Sequence, residues 1–465
     1  MSTKAAASVI AEATKRGLET VRLSFADQHG VLRGKTLPVS GLEGAFRRGV
    51  AMTSTLVLKD TSHRTVFPVW EADAGFGAGA LTGAGDIIMR PDPATFRVLP
   101  WSPASGWMLC DLEMPDGSPF AFGSRQVLRQ AAARLADRGL DFVCGLELEF
   151  HVFRITAPNL GHAQGGMPGT PPDTELLTHG GQYLTEDRYD ALEPVMEAIR
   201  KAATGLGLPV RSMEVEFGAS QFEFTFDPAG PLEQADAMVL FRAAVKQVCR
   251  RMGLHATFMS RPKVEHGMAS GWHLHQSLTG RDDGANRFTP GPDGAPTEIC
   301  RQWIAGLLEH AVAGCLLAAP TVNGYKRYQA FQLAPDRVAW GRDNKGALLR
   351  TLLAPGDTAS RVENRLAEPA ANPYFHIAGQ ILAGLDGLER GLEPPPAADT
   401  PYAVAAPLLP RDLGTAISAF AASTFFQSAL QPGFTDWLVR IKRAEWNRYL
   451  ATVSDWEQRE YFTLF

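Results

Sequence analysis

The chain has 465 residues, 45% of them hydrophobic and 20% charged, with a formal net charge of −5. That length is more than one compact domain needs and leaves room for a sizeable core. With no basic surplus and no basic run, neither nucleic acid nor an anionic membrane is an expected partner. Five scattered cysteines, Cys110, Cys144, Cys249, Cys300 and Cys315, form no C-x-x-C pair. They predict free thiols in a reducing, cytoplasmic compartment rather than a disulfide framework. The first residues carry an early Glu12 and no apolar run, so no secretory signal is expected.

After a short N-terminal helix, residues 21–27 and 31–38 alternate as a hairpin around Gln28-His29-Gly30. Two short strands flank Pro91-Asp92-Pro93 within 85–101, so residues 1–105 read as a small sheet-rich domain. Residues 123–140 form an amphipathic helix with Ser124 as the expected N-cap and Gly139 as its stop. A strand over 141–153 and a Gly/Pro-rich loop over 155–182 follow. Next come a helix over 191–206, a strand pair at 211–218 and 220–226, a helix over 232–253 and a strand around 272–278. Beyond a charged excursion at 279–297 helices dominate, interrupted by a proline-rich link at 393–410. The stretch Leu413–Thr435 carries no charge; its polar residues, glycines and Pro432 point to a helix buried in a large domain or an oligomer interface, not a membrane span. The pattern is α+β, an antiparallel sheet with helices packed against it, and residues 106–465 form the larger domain.

Glu147 and Glu149 stand two apart in an otherwise apolar strand, so both carboxylates project from one face, roughly 7 Å apart. Spacing alone is equally compatible with a solvent face. The pattern recurs, however: Glu214, Glu216 and Glu223 in the strand pair, His273 and His275 two apart, and Glu363 between Arg361 and Arg365. Oxygen ligands in excess with little nitrogen suit Mg²⁺ or Mn²⁺ rather than structural zinc. Carboxylates and arginines around divalent cations are the parts that phosphoryl transfer uses. No P-loop and no strand-borne G-x-G-x-x-G is present.

Five ordered blocks, GLELEF (145–150), EFGASQFEF (216–224), SGWHLHQSL (270–278), NGYKR (323–327) and RVENRLAEPAANPY (361–374), closed by GLDGL (384–388), resemble the glutamine synthetase family over nearly the whole chain. The resemblance implies a small β-grasp N-terminal domain and a catalytic domain with a curved antiparallel sheet. It also implies stacked rings, a dodecamer, with active sites between subunits. The implied chemistry uses ATP and two or more Mg²⁺ (or Mn²⁺) ions per site. The γ-carboxylate of glutamate is phosphorylated, and an amine then displaces phosphate. Carried over by motif, Glu149, Glu216 and Glu223 would hold one metal, and Glu147, His273 and Glu363 the second. His275, Ser277, Lys345, Arg350 and Arg361 would contact the nucleotide. Arg327 and Arg365 would grip the amino-acid substrate and, with Arg350, the transferring phosphate, and Tyr183 would stand beside the amine site.

Three departures bear on the amine. Leu333 stands where the family's ammonium-site flap has a glutamate, the acidic D-G-S-S block is missing with only Asp60 near its place, and Met268-Ala269 replaces an Asn-Gly pair. Lys345 stands where an arginine is usual. Losing carboxylates weakens attraction for a small cation, while Leu333, Phe331 and Trp272 would make the entrance apolar. Within the family the likeness is to γ-glutamylamide synthetases that take hydrophobic or aromatic amines. The alternatives are an ordinary glutamine synthetase and a non-catalytic sensor or scaffold.

Overall fold

The computed structural model describes residues 3–72, 79–265, 267–329 and 333–465. Two sheets organise the chain. The smaller has six strands in the order Leu32–Pro38, Thr20–Ala26, Ser105–Glu113, Asp86–Pro91 and Val50–Thr53, with Arg97–Val98 pairing on Ser105–Glu113. The expected hairpin is present, in register from Thr20 opposite Pro38 to Ala26 opposite Leu32. Its inner strand also pairs in parallel with Ser105–Glu113.

The larger sheet has nine strands in the order Trp340–Arg342, Leu349–Leu352, Arg361–Asn364, Trp272–Gly280, Leu140–Ile155, Gln221–Phe226 and Val210–Val215, with Leu254–Thr257 and Thr174–Leu176 also on Leu140–Ile155. It is antiparallel, as expected for the larger domain, except where Trp340–Arg342 runs parallel to Leu349–Leu352. The three short strands from 340 to 364 fall where helices were expected to dominate. Segments of three or four residues carry too few alternations to show a period.

Helices cover the far side. The helix Pro373–Arg390 is the most enclosed, starting on Asn372, whose side chain accepts from the amides of Tyr374 and Phe375. It crosses Glu298–Glu309 so closely that a Cβ on Gly306 would lie 2.2 Å from the Ala383 carbonyl, and one on Gly387 2.1 Å from that of Gln302. Glycine is required at this crossing because only hydrogen lets the two backbones approach. The helix Glu186–Gly205 begins five residues before the expected start, with Glu186 and Asp187 in its first turn, where the helix dipole favours acids.

Gly123, not Ser124, occupies the N-cap of helix Ser124–Ala136. The Ser124 hydroxyl instead donates to the Asp27 carbonyl at 3.1 Å and accepts from Asn372 Nδ2 at 2.9 Å, tying the first hairpin to the start of Pro373–Arg390. The uncharged stretch forms helices Leu413–Ala422 and Thr424–Ala429, with Ile417, Phe420 and Phe426 buried, so it is a core element of the chain itself. Among the described residues no helix is long and apolar enough to cross a membrane. All five cysteines are buried and unpaired.

Candidate active site

Strand register collects the chemistry on one face of the larger sheet. Glu149 stands opposite Glu223, which stands opposite Glu214; Glu147 stands opposite His273; Glu363 stands opposite both His275 and Arg350. Residues directly across a ladder share a face. On Trp272–Gly280 the alternate residues Trp272, Leu274, Gln276 and Leu278 therefore point the other way. Trp272 is fully buried, with its ring centroid 4.9 Å from that of His376, and it does not line the entrance as expected.

The imidazoles and carboxylates touch. His273 Nδ1 lies 2.6 Å from Glu147 Oε1 and 3.7 Å from Glu363 Oε1, and its Nε2 lies 3.8 Å from Glu149 Oε1. His275 Nε2 lies 3.1 Å from Glu147 Oε2. One ligand atom each from Glu147, His275 and Glu363 fall within 4.8 Å of one another, so His275 joins His273 as an imidazole beside these two carboxylates. Glu149 Oε2 accepts from Gln221 Nε2 at 3.0 Å and from the Gly271 amide at 3.1 Å. Gln221 also reaches the Ala269 carbonyl at 3.4 Å, which places the Met268-Ala269 pair beside this carboxylate.

The cluster repels itself. Burial first, and then Glu216, pushes Glu149 up to about 8. Burial followed by Glu147 and Glu149 pushes Glu223 up to about 11, and burial raises Glu216. Against the upward push of burial, the bonds from His273 and His275 hold Glu147 well below the usual range. Burial, with Arg365 nearby, lowers His273 to about 4, so the ring is neutral at pH 7. Tyr183, half exposed, has its hydroxyl raised by burial and by Glu216 and Glu223, which places it at the edge of the same field.

Arginines close the other side. Arg327 is buried, donating through Nη1 to the carbonyls of Arg365 (2.9 Å) and Leu366 (3.2 Å), with Nη2 3.2 Å from His273 Nε2. Arg365 pairs with Glu363 and donates to the Leu333 carbonyl at 3.2 Å, while its buried Nε has no partner among the described residues. Arg350 bridges Asp343 Oδ1 (2.6 Å) and Glu363 Oε2 (3.0 Å). Arg361 donates to His275 Nδ1 at 3.1 Å.

Beside this cluster lies a cavity of about 430 Å³ lined by Glu147, His275, Ser277, Arg350 and Arg361, together with Arg211, Phe226 and Leu352. The sequence reading missed Arg211 and Phe226. A register shift between Thr225 and Phe226 puts Ser212 opposite Thr225 but Val210 opposite Phe226, so Arg211 is an extra residue that strand alternation alone would not turn toward this face. Lys345 is exposed in a turn and is not among the lining residues. Leu333 is 63% exposed at φ 53°. Phe331 lies outside the described residues.

Comparison with known proteins gives a consistent picture. The family model for the glutamine synthetase catalytic domain matches residues 122–461. A gamma-glutamylanilide synthase from Acinetobacter sp is 41% identical, covering 99% of this chain and 96% of that protein. A gamma-glutamylethanolamide synthetase from Streptomyces coelicolor is 33% identical over 96% of this chain and 93% of that protein. A glutamine synthetase from Mycolicibacterium smegmatis is 32% identical over 97% of each. Among solved structures, GmaS without ligand superposes with a TM-score of 0.81 at 27% identity, covering 97% of this chain and 99% of that one; a GmaS complex with ADP gives the same score.

Proposed function

The chain belongs to the glutamine synthetase family, and on that premise we propose that it is an ATP-dependent carbon–nitrogen ligase joining the γ-carboxylate of glutamate to an organic, hydrophobic or aromatic amine. The observation that carries the amine reading is Leu333, an exposed apolar residue where a carboxylate would draw in ammonium, on a chain 41% identical to a gamma-glutamylanilide synthase.

The donor set fits divalent cations. Buried carboxylates raised by one another are charges that need a positive partner, and they are oxygen ligands in excess over nitrogen. Glu149, Glu216 and Glu223 would hold one ion and Glu147, His273 and Glu363 a second, with His275 near enough to contribute. When bound, Mg²⁺ or Mn²⁺ neutralises these carboxylates and the phosphate oxygens of ATP.

The 430 Å³ cavity holds the nucleotide, with Ser277 and Phe226 toward the base and Arg350, Arg361 and Arg211 toward the phosphates. Arg365, whose Nε has no partner among the described residues, would orient the amino-acid substrate and its acyl phosphate. Arg327, bonded to the carbonyls of Arg365 and Leu366 and to His273, would hold Arg365 and His273 in place beside it. The carboxylate oxygen attacks the γ-phosphorus and ADP leaves. The amine nitrogen then attacks the acyl carbon, and phosphate leaves with that oxygen. The proton the nitrogen sheds would pass to the carboxylates that surround Tyr183.

The proposal extends to an N-terminal unit carrying the six-stranded sheet and a catalytic unit carrying the nine-stranded one. Ser105–Glu113 pairs inside the smaller sheet, so the first unit is drawn to include it rather than to stop at 105. It also includes a homo-oligomer of stacked rings with sites between subunits. Exposed Trp456, Phe462, Leu464 and Phe465 near the C-terminus support burial against another copy. A cytoplasmic location is supported by the five free thiols.

The test is phosphate release from ATP with Mg²⁺ and glutamate across ammonium, alkylamines, polyamines and aniline, with each product identified by mass. Stimulation by a hydrophobic amine supports the proposal. Best activity with ammonium would make the protein an ordinary glutamine synthetase.

A further inference from the structure

The proline-rich segment expected to be a link is laced onto the residues that follow Leu333. Trp340 Nε1 donates to the Pro395 carbonyl at 2.7 Å, and the Ala398 amide donates to the Trp340 carbonyl at 2.8 Å. Arg337 Nη1 reaches the Val404 carbonyl at 2.9 Å, the Val338 amide that of Pro407 at 2.8 Å, and the Leu409 amide that of Asp336 at 2.9 Å. In the middle stands Tyr402, half-buried, whose hydroxyl donates to the Ala334 carbonyl at 3.1 Å. Its ring covers Gly346, where a Cβ would lie 3.0 Å from the ring and 2.9 Å from Pro401.

On the other side, the Leu333 carbonyl accepts from Arg365 Nη2 at 3.2 Å, and Arg365 is the guanidinium that pairs with Glu363. Two consecutive carbonyls are thus held by two side chains from different parts of the chain. One is tied to the carboxylate cluster and the other to the strap at 395–409. Leu333 itself is 63% exposed with φ 53°, a backbone conformation that a leucine keeps only where its surroundings hold it.

We propose that Tyr402 is a positioning residue for the amine: its hydroxyl, with Arg365, fixes the Leu333–Ala334 main chain and so sets where the Leu333 side chain stands at the entrance to the carboxylate cluster. This rests on the reading of Leu333 as the wall an organic amine passes. The phenol has two separable jobs. The ring supports the turn at Gly346, next to Lys345, and the hydroxyl supports Ala334.

Tyr402→Phe keeps the ring and removes only the hydroxyl. The expected result is a KM for aniline raised roughly three- to tenfold, the worth of one neutral hydrogen bond. The KM values for ATP and glutamate, and kcat, stay within about twofold. An unchanged aniline KM, or a parallel rise in all three KM values, would overturn the proposal, the latter because a merely structural residue acts on every substrate. Hydrogen exchange gives a readout that needs no turnover. The amides of Val338 and Leu409, which bond the carbonyls of Pro407 and Asp336 across the strap, should exchange faster in Tyr402→Phe while those of 272–278 do not change; identical exchange at both would overturn it as well. If Leu333→Glu shifts amine preference and Tyr402→Phe does not, the amine reading stands and the role of Tyr402 falls. If the unmodified protein turns over no organic amine, that reading falls, and with it the amine role of Tyr402.

Discussion

His275 donates its Nε2–H to Glu147 Oε2 across 3.1 Å, and the direction of that bond is fixed by a third residue. Arg361 Nε, which can only donate, lies 3.1 Å from His275 Nδ1, so Nδ1 accepts and Nε2 carries the proton. Glu147 thus takes hydrogen bonds from the imidazoles of His275 and His273, and remains ionised amid carboxylates that burial and mutual repulsion drive toward protonation. A site with one firmly ionised carboxylate and several that need a counter-charge is arranged to receive cations.

Glu149 is a buried member of the proposed ligand set of the first ion, held by Gln221 and the Gly271 amide. Glu149→Ala is expected to abolish Mg²⁺-dependent phosphate release while size-exclusion chromatography shows the assembly intact. Retained turnover would remove Glu149 from the site.

Metal binding should stabilise the fold with a definite pH sign. Glu149 and Glu223, raised to about 8 and about 11, hold protons that a cation must displace. Adding Mg²⁺ to chelator-treated protein should raise Tm more at pH 8 than at pH 6. An increment that is equal at both values, or larger at pH 6, would contradict this assignment of the carboxylates.

Glu368 carries a separate pH signature. It is buried, accepts from the Thr321 amide and hydroxyl at 2.8 Å each, and burial raises it from 4.5 to about 7. Between those values the native state binds more protons than the unfolded one, so stability falls as pH rises. The full effect is on the order of 3 kcal/mol. Urea unfolding at fixed protein concentration should show this loss between pH 4.5 and 7, and Glu368→Gln should flatten it. An unaltered slope in the variant would assign the dependence to other groups.

Much of this site was legible before the structure. The i, i+2 pairs Glu147/Glu149 and His273/His275 announce a shared face because strand alternation is strict, and the register brings both pairs together. Trp272 was misread because that same alternation, applied one residue earlier, turns it into the core. Arg211 was missed because a bulge changes the phase of its strand, and no local pattern marks where a bulge falls. The strands carrying Arg350 and Glu363 are too short to show a period, so only their motif residues drew attention. The tie from Tyr402 to Ala334 spans 68 positions, and such a contact leaves no trace in either segment alone.

Leu333→Glu restores a carboxylate to the entrance. The variant should raise kcat/KM for ammonium relative to aniline by about tenfold or more, the scale of one added charge near a cation in a partly shielded site. An unchanged ratio would show that position 333 does not select the amine.

The most direct measurement follows the oxygen. Glutamate labelled with ¹⁸O in its γ-carboxylate is incubated with ATP, Mg²⁺ and aniline, and both phosphate and amide are read by mass spectrometry. Attack of the carboxylate on ATP followed by displacement by the amine places one ¹⁸O in each phosphate released and leaves one in a γ-glutamylanilide, in equal amounts. Phosphate without label, or labelled phosphate formed only when ammonium replaces aniline, would contradict an amide ligase built for an organic amine.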